Sequence, residues 1–474
     1  MFSKLRLSVK NGLLILFLLL SSLAFSQKIN KLTPLQMKQD IDTLIHYLEE
    51  THINPYYRYP KDKFYKDVSL VKKNLTTELD LIDFYLKIEP LLAKLEDGHT
   101  DLPIPKTEYE SKNPFELPYV FRLTPDKPYI LCQSVKGSYT PQIPGNSEII
   151  SINGHSAKKI VNDIINLNTG ETPVFRAEYG AENFSFFIEE LYKTNGKYKI
   201  KYTHNSKVNS IVIDAVRQNE LIANEDSYNK ALPEEKKEVD KNFTLTIQNN
   251  IAIIDFKLFD WNGFKEFADS TFSVIKDKKI KNLVINLIDN PGGDSDVGDA
   301  FLQYFLDKPF KQYDRVDVKF SQLYKDRLRA HIGSKEPTKE QIETLTKKNG
   351  TIETLYLDNN SINDNPLRYN GNIYLLINSQ TYSSAADFAQ CFKFYKRGII
   401  IGEETGGLIK SFGDIVTTHL PNSDLKYTIS STLYYNIGAN ENDFIGVIPD
   451  IVTSKEKALE KALEIIERSN SQLR

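Results

Sequence analysis

Ile373-Tyr374-Leu375-Leu376-Ile377-Asn378-Ser379-Gln380-Thr381-Tyr382-Ser383-Ser384-Ala385-Ala386-Asp387 runs from a continuous apolar segment into a helical pattern. The segment 373–377 is short, apolar and β-branched at both ends, which predicts a buried strand. A serine hydroxyl placed where such a strand ends and a helix begins faces the unpaired N–H groups of the first helical turn, which favour negative charge. Acyl transfer needs that arrangement, because its tetrahedral intermediate carries an oxyanion. Taken alone, Ser383 is equally an ordinary N-cap before a helix.

The same alternation extends on both sides. Strand patterns at 251–256 and 282–288 alternate with helical patterns at 263–276 and 294–306, and a further helix is expected over 384–395. Apolar strands alternating with helices predict an α/β domain, residues 243–474, with a sheet covered on both faces. Residues 321–368 are polar, with Lys and Asn clusters and a helical piece at 339–348. They are expected to form a surface insertion in the position of a lid. Upstream, residues 221–242 are charged and poor in apolar side chains, as in Glu234-Glu235-Lys236-Lys237-Glu238, and predict a linker.

Residues 114–220 alternate short runs of Val, Ile, Tyr and Phe with turn residues. Within them Ser147-Glu148-Ile149-Ile150-Ser151-Ile152-Asn153-Gly154-His155 leads to a helix over 157–167. A strand, an Asn-Gly turn and a helix in that order resemble the middle of a PDZ domain, which binds peptide termini as an added strand; a small packing domain fits the same pattern. His155 is expected to be a surface turn residue. Residues 31–113 show helical spacing at Leu35, Met37, Ile41, Leu44, Ile45 and Leu48, and again over 64–75 and 81–95, predicting a helical domain.

The first 26 residues predict a signal peptide. Lys4, Arg6 and Lys10 precede an apolar core from Leu13 to Leu20, and Ala24-Phe25-Ser26 offers small residues for cleavage near Gln27. The protein is therefore expected to be exported, to the periplasm or beyond the cell, with no stable membrane insertion after cleavage; an uncleaved anchor is the alternative. Removing those three cations takes the formal charge from −3 to −6. No basic stripe points to nucleic acid. Cys132 and Cys391 are the two cysteines and read as buried thiols. The seven His show no paired metal-ligand spacing, so neither metal nor cofactor is expected. Oligomeric state is not legible.

Four segments are candidates for chemistry. Leu95-Glu96-Asp97-Gly98-His99-Thr100 carries a histidine at a helix end, either a surface cap residue or a general base for Ser383. Asp289-Asn290-Pro291-Gly292-Gly293 closes a buried strand with paired glycines, which suit either a turn or close backbone approach to an oxyanion. The third segment contains Ser383, with the Ser384 N–H as a further oxyanion donor. The fourth is Gly402-Glu403-Glu404-Thr405-Gly406-Gly407, followed by Glu441-Asn442-Asp443-Phe444-Ile445-Gly446-Val447-Ile448-Pro449-Asp450.

The order DGHT, NPGG, TYSSAAD, GEETGG and GVIPD resembles the C-terminal processing (tail-specific) serine peptidases, in their tricorn-like and interphotoreceptor-retinoid-binding-protein-like branch. The resemblance covers residues 95–100 and most of 245–453, with the PDZ-like segment between. It implies a ClpP/crotonase-like catalytic domain and an exported serine endopeptidase that works through an acyl-enzyme and recognises substrate C-termini. Ser383 would be the nucleophile, His99 the base, and Gly292, Gly293 and Ser384 the oxyanion hole. Lys410 is the alternative base, in place of the lysine of a Ser–Lys dyad, whose expected position is Leu408 here. Asp443 or Glu441 would orient the imidazole. Gly98 replaces the serine that precedes the family's histidine, and Leu287-Ile288-Asp289-Asn290 lacks the usual arginine. These departures leave room for an inactive binder of small ligands or peptides on the same fold, and for a hydrolase of other esters or amides.

Overall fold

The computed structural model describes residues 31–232 and 241–472. The signal segment and the Glu234–Glu238 charge run lie outside the described residues. Helix Pro34–Thr51 opens on a Thr33/Gln36 capping box and buries Met37, Ile41, Leu44, Ile45 and Leu48. Helix Leu81–Ala93, capped by Asp80, stops two residues before the predicted end. Glu96 then turns the chain through positive φ (55°) into Asp97-Gly98-His99.

The middle segment forms an antiparallel sheet in the order Tyr119–Leu123, Ile130–Val135, Ser147–Ile152, Lys197–His204, Lys207–Asp214. Asn153 and Gly154, both at positive φ, fold His155–Ser156 back onto Ser147–Ile152. His155 stacks on Tyr192, with ring centroids 4.1 Å apart. Helices Ala157–Ile165, Pro173–Glu182 and Phe184–Tyr192 fill the interval before Lys197. The N-terminal helices and this sheet share one hydrophobic core, completed by Leu420, Leu425, Tyr427 and Ile429 from the far end of the chain.

The expected linker begins inside helix Gln218–Ala231. Its charged residues face solvent while Leu221 is buried, and Asn224 exchanges hydrogen bonds with Ser138. One apolar anchor and one side-chain clamp order a segment whose composition alone reads as open chain.

The C-terminal half is an α/β domain. Its sheet runs in the order Ile451–Val452, Ile399–Gly402, Asn372–Ile377, Asn282–Asn286, Ile251–Phe256, Phe243–Gln248. All pairs are parallel except the last. Successive residues point to opposite faces. Ala252, Ile254, Leu283, Ile285, Leu375 and Ile377 pack with helices Phe264–Asp277, Ser295–Leu302 and Ser384–Phe394. Ile251, Ile253, Val284, Tyr374 and Leu376 meet Ala458, Ala462 and Ile466 of helix Lys455–Gln472.

A second sheet, in the order Thr351–Tyr356, Tyr313–Phe320, Lys426–Asn436, Lys410–His419, is antiparallel. The expected insertion is therefore no free lid, since Thr351–Tyr356 is an edge strand of this sheet. Its neighbouring helix Gln322–Ile332 is anchored beside the N-terminal helix, where Ser321 Oγ bonds Thr51 Oγ1 at 3.1 Å. Lys319 Nζ donates to the carbonyls of Glu49 and His52 close by.

Candidate active site

Ser383 sits in a braced turn between strand Asn372–Ile377 and helix Ser384–Phe394. Thr381 Oγ1 donates to Leu287 O at 2.8 Å and accepts the Asn378 N–H, while the Tyr382 N–H reaches Asn290 O. This bracing holds Ser383 at φ 50°, ψ −132°, a backbone region costly for a side-chain-bearing residue. The strained turn presents Oγ at the helix N-terminus.

The paired glycines differ in use. A Cβ on Gly292 (φ +100°) would lie 2.8 Å from Ser383 Cβ and 2.9 Å from the Ser384 nitrogen, so this residue must be glycine for the two loops to meet. Its N–H is already given to Asn290 Oδ1 at 2.8 Å, which removes it from the expected donor set. The N–H groups of Gly293 and Ser384 bond to nothing among the described residues. Ser384 Oγ donates to Gly293 O at 2.7 Å and fixes their spacing. Two backbone donors beside a hydroxyl are what an oxyanion requires.

His99 comes from the other end of the chain. Its Nε2 lies 3.2 Å from Ser383 Oγ, and its Nδ1 lies 3.2 Å from Tyr382 Oη and 3.9 Å from Asp97 Oδ1. The ring is 11 % exposed and stacks on Tyr382. Burial lowers its pKa, against the opposing pull of Asp97 and the Phe412 carbonyl, so the neutral imidazole is favoured.

Asp97 organises the loop. Its Oδ1 accepts the His99 N–H at 3.0 Å, and its Oδ2 accepts from His52 Nε2 (3.0 Å), Thr100 Oγ1 (2.6 Å) and Ser430 Oγ (2.7 Å). Burial alone would raise its pKa, but the hydrogen bond and charge of His52, with His99 and Thr100, hold it well below the usual carboxylate range. His52 Nδ1 accepts the Asn54 N–H, so its single neutral-form proton is on Nε2, toward Asp97. Glu171, from the loop before helix Pro173–Glu182, accepts the Tyr382 hydroxyl on Oε1 at 2.7 Å and the Gly98 N–H at 3.4 Å. Burial, then the Asp97 charge, push Glu171 up to about 8. Asp97, His99 and Glu171 each bring one potential metal-ligand atom within 4.8 Å of the others; hydrogen bonds engage Asp97 Oδ1, His99 Nδ1 and Glu171 Oε1.

The expected orienting acids lie elsewhere. Glu441 pairs with Arg315 and Lys410, and the hydrogen bond from Lys410, then that from Arg315, pull it down to about 2. Asp443 Oδ2 accepts from the Asn440 backbone and side chain. Neither bonds His99. The alternative base is also occupied: Lys410 Nζ donates to Glu441 O at 2.8 Å and lies over the Tyr435 and Phe444 rings, with no hydrogen bond to Ser383 among the described residues. Strong local pairing satisfies these charges where they stand. The fourth motif has a bracing use instead. Thr405 Oγ1 ties Gly407 O to the Val447 N–H, and a Cβ on Gly407 would lie 2.9 Å from the Ser383 nitrogen.

Asp97, Tyr382 and Glu171 were not among the expected site residues. Asp97 and Tyr382 are sequence neighbours of residues that were. Glu171, in Gly170-Glu171-Thr172, carries no local signal.

Residues 250–453 match the family model described as peptidase family S41. No curated protein sequence matches the chain. The structure of mature CPAF complexed with lactacystin superposes with a TM-score of 0.61 at 13 % identity, covering 93 % of this chain and 98 % of that one. The photosystem II D1 C-terminal processing protease aligns with a TM-score of 0.44 at 13 % identity, covering 89 % and 94 % of the two chains.

Proposed function

We propose that this chain, whose residues 250–453 match peptidase family S41, is an exported serine endopeptidase with Ser383 as nucleophile and His99 as base. The observation that carries this is the 3.2 Å approach of His99 Nε2 to Ser383 Oγ, across 284 positions of sequence. Buried and neutral, His99 takes the hydroxyl proton as Oγ attacks the substrate carbonyl carbon. The oxyanion is held by the Gly293 and Ser384 N–H groups. The imidazolium then protonates the leaving amine, and water, deprotonated by the same ring, hydrolyses the ester.

Recognition of substrate termini is supported by a cavity of about 800 Å³ between edge strand Tyr119–Leu123 and helix Pro173–Glu182, lined by Val120, Arg122, Phe175 and Tyr179 and reaching Pro291 and Tyr382 beside the nucleophile. A peptide added to that edge as a strand would run toward Ser383. Export rests on the basic, apolar and small-residue order of residues 1–26.

The test is Ser383→Ala in the purified protein. It is expected to abolish cleavage of casein and labelling by a fluorophosphonate while leaving the thermal midpoint within a few degrees. Cleavage at the wild-type rate would refute the nucleophile. Edman sequencing of protein recovered from the culture tests export; an intact N-terminus retained in the cell would refute it.

A further inference from the structure

A base that accepts a proton at Nε2 must carry its own proton on Nδ1, and something must keep it there. We propose that Glu171 is the positioning residue that does so: acting through the Tyr382 hydroxyl, it holds the His99 proton on Nδ1 and leaves Nε2 free to accept from Ser383. This inference rests on the assignment of Ser383 and His99 above.

The direction of the hydrogen bonds follows from counting donors. Glu171 Oε1 receives both the Tyr382 hydroxyl and the Gly98 N–H. An ionised carboxylate has no proton to give, so with Glu171 charged both bonds run toward Oε1. A protonated Glu171 would leave a proton on Oε2 buried without a partner, so the order is fixed by the charged form. In that form the Tyr382 hydrogen is committed to Glu171, and its oxygen accepts from His99 Nδ1, 3.2 Å away. Asp97 Oδ1, 3.9 Å from the same nitrogen, favours the same tautomer by charge. The opposite order, with tyrosine donating to Nδ1, would place the imidazole proton on Nε2 and face Ser383 with a donor.

Glu171 belongs to the middle segment, while Tyr382 belongs to the catalytic domain and His99 to the helical one. The relay is therefore complete only when all three are docked. Thr172, the next residue, caps the helix that lines the proposed peptide groove. A peptide in that groove thus bears on the orienting acid as well as on substrate placement.

The groups facing the Glu171 carboxyl are Asp97 and the Gly98 N–H from one loop, Tyr382 from the nucleophile turn, and Arg176 and Tyr57 further out. Because Glu171 is pushed up to about 8, it gains charge across the neutral-to-alkaline range, and the imidazolium formed during reaction gains a partner.

The experiment measures casein kcat and KM, and the rate of fluorophosphonate labelling, against pH for wild type, Tyr382→Phe, Glu171→Leu and Glu171→Gln. Tyr382→Phe and Glu171→Leu are expected to lower kcat and the labelling rate roughly 10²-fold with KM unchanged. Glu171→Gln, which keeps an acceptor for the tyrosine, is expected to recover at least about tenfold of the Glu171→Leu loss but to lack the alkaline rise. Tyr382→Phe within twofold of wild type, or a loss carried by KM, overturns the relay. If either of those variants fails to fold, the pH profile of Glu171→Gln decides, and an alkaline rise like that of wild type overturns it. Wild-type labelling that persists in Ser383→Ala would instead sink the underlying assignment.

Discussion

Gly98 and Tyr382 compete for one volume: a Cβ built on Gly98 would lie 2.5 Å from Tyr382 Oη and 3.3 Å from Glu171 Oε2. A glycine at position 98 is thus required by the tyrosine hydroxyl beside the imidazole. Gly98→Ser is expected to displace Tyr382 and cost about 1–3 kcal/mol of stability, as overpacking does, with at least a tenfold loss of kcat. Combining it with Tyr382→Phe relieves the clash, so the two losses are expected to be non-additive in a double-mutant cycle. Strict additivity in thermal unfolding and casein turnover would refute the shared-volume account.

Gly292→Ala tests the contact between the glycine loop and the nucleophile turn. Its Cβ would meet the Tyr382 carbonyl oxygen and Ser383 Cβ, each at 2.8 Å, at a φ that alanine adopts only with strain. The expected outcome is a loss of about 10²- to 10³-fold in kcat, comparable with loss of an oxyanion donor, with circular dichroism unchanged. Turnover near wild type would show that the two loops separate freely.

The two candidate bases are separated by substitution. His99→Ala is expected to slow fluorophosphonate labelling about 10²- to 10⁴-fold. Lys410→Met is expected to stay within about threefold, because its ammonium is bonded to Glu441 and ordinary orientation effects are larger than that. The reverse pattern would restore a serine–lysine dyad.

The acid side of the pH profile follows from His99. Burial lowers its pKa below the ordinary imidazole value, and catalysis requires the neutral ring. Activity is expected to persist below the pH at which a free histidine is half protonated, and the acid limb of kcat/KM should fall there. An acid limb above that pH would contradict it.

Asp97 sets the acid stability. Its folded-state pKa is depressed by His52, His99 and Thr100, which outweigh its burial. A depressed carboxylate contributes stability that is fully present above its unfolded value, near 3.8, and lost as pH falls through the folded value. Asp97→Ala is expected to cost about 3–5 kcal/mol at neutral pH, as breaking a buried pair does. In chemical unfolding, the gap from wild type should narrow only at strongly acidic pH. A gap that is constant across the acid range would show that the charge contributes nothing.

Much of the catalytic domain is legible because parallel strands covered on both faces are apolar along their middles, as in Leu283–Ile285 and Ile373–Ile377. Ser383 and His99 are legible only through the order of the motifs that contain them, since each alone fits a helix cap. What is not legible depends on distance. Strand Thr351–Tyr356 leaves its apolar residues Ile352, Leu355 and Tyr356 exposed, so no buried face marks it as part of a sheet. Glu171 meets Tyr382 211 positions away, and neither residue's neighbours reveal the other. Glu441 is of the expected residue type, yet Lys410 and Arg315, close to it in space, satisfy it first.

The front half of the molecule borrows four apolar residues, Leu420, Leu425, Tyr427 and Ile429, from the hairpin that closes the second sheet. During synthesis those residues are made only after His99, Glu171 and Ser383. The N-terminal body, with His99 and Glu171, thus lacks part of its interior until residue 429 has been made, so the site is expected to assemble only then and a shorter nascent chain to be protected from its own cleavage. A ribosome-arrested chain ending near residue 400 that reacted with fluorophosphonate at the wild-type rate would show that this timing offers no such protection.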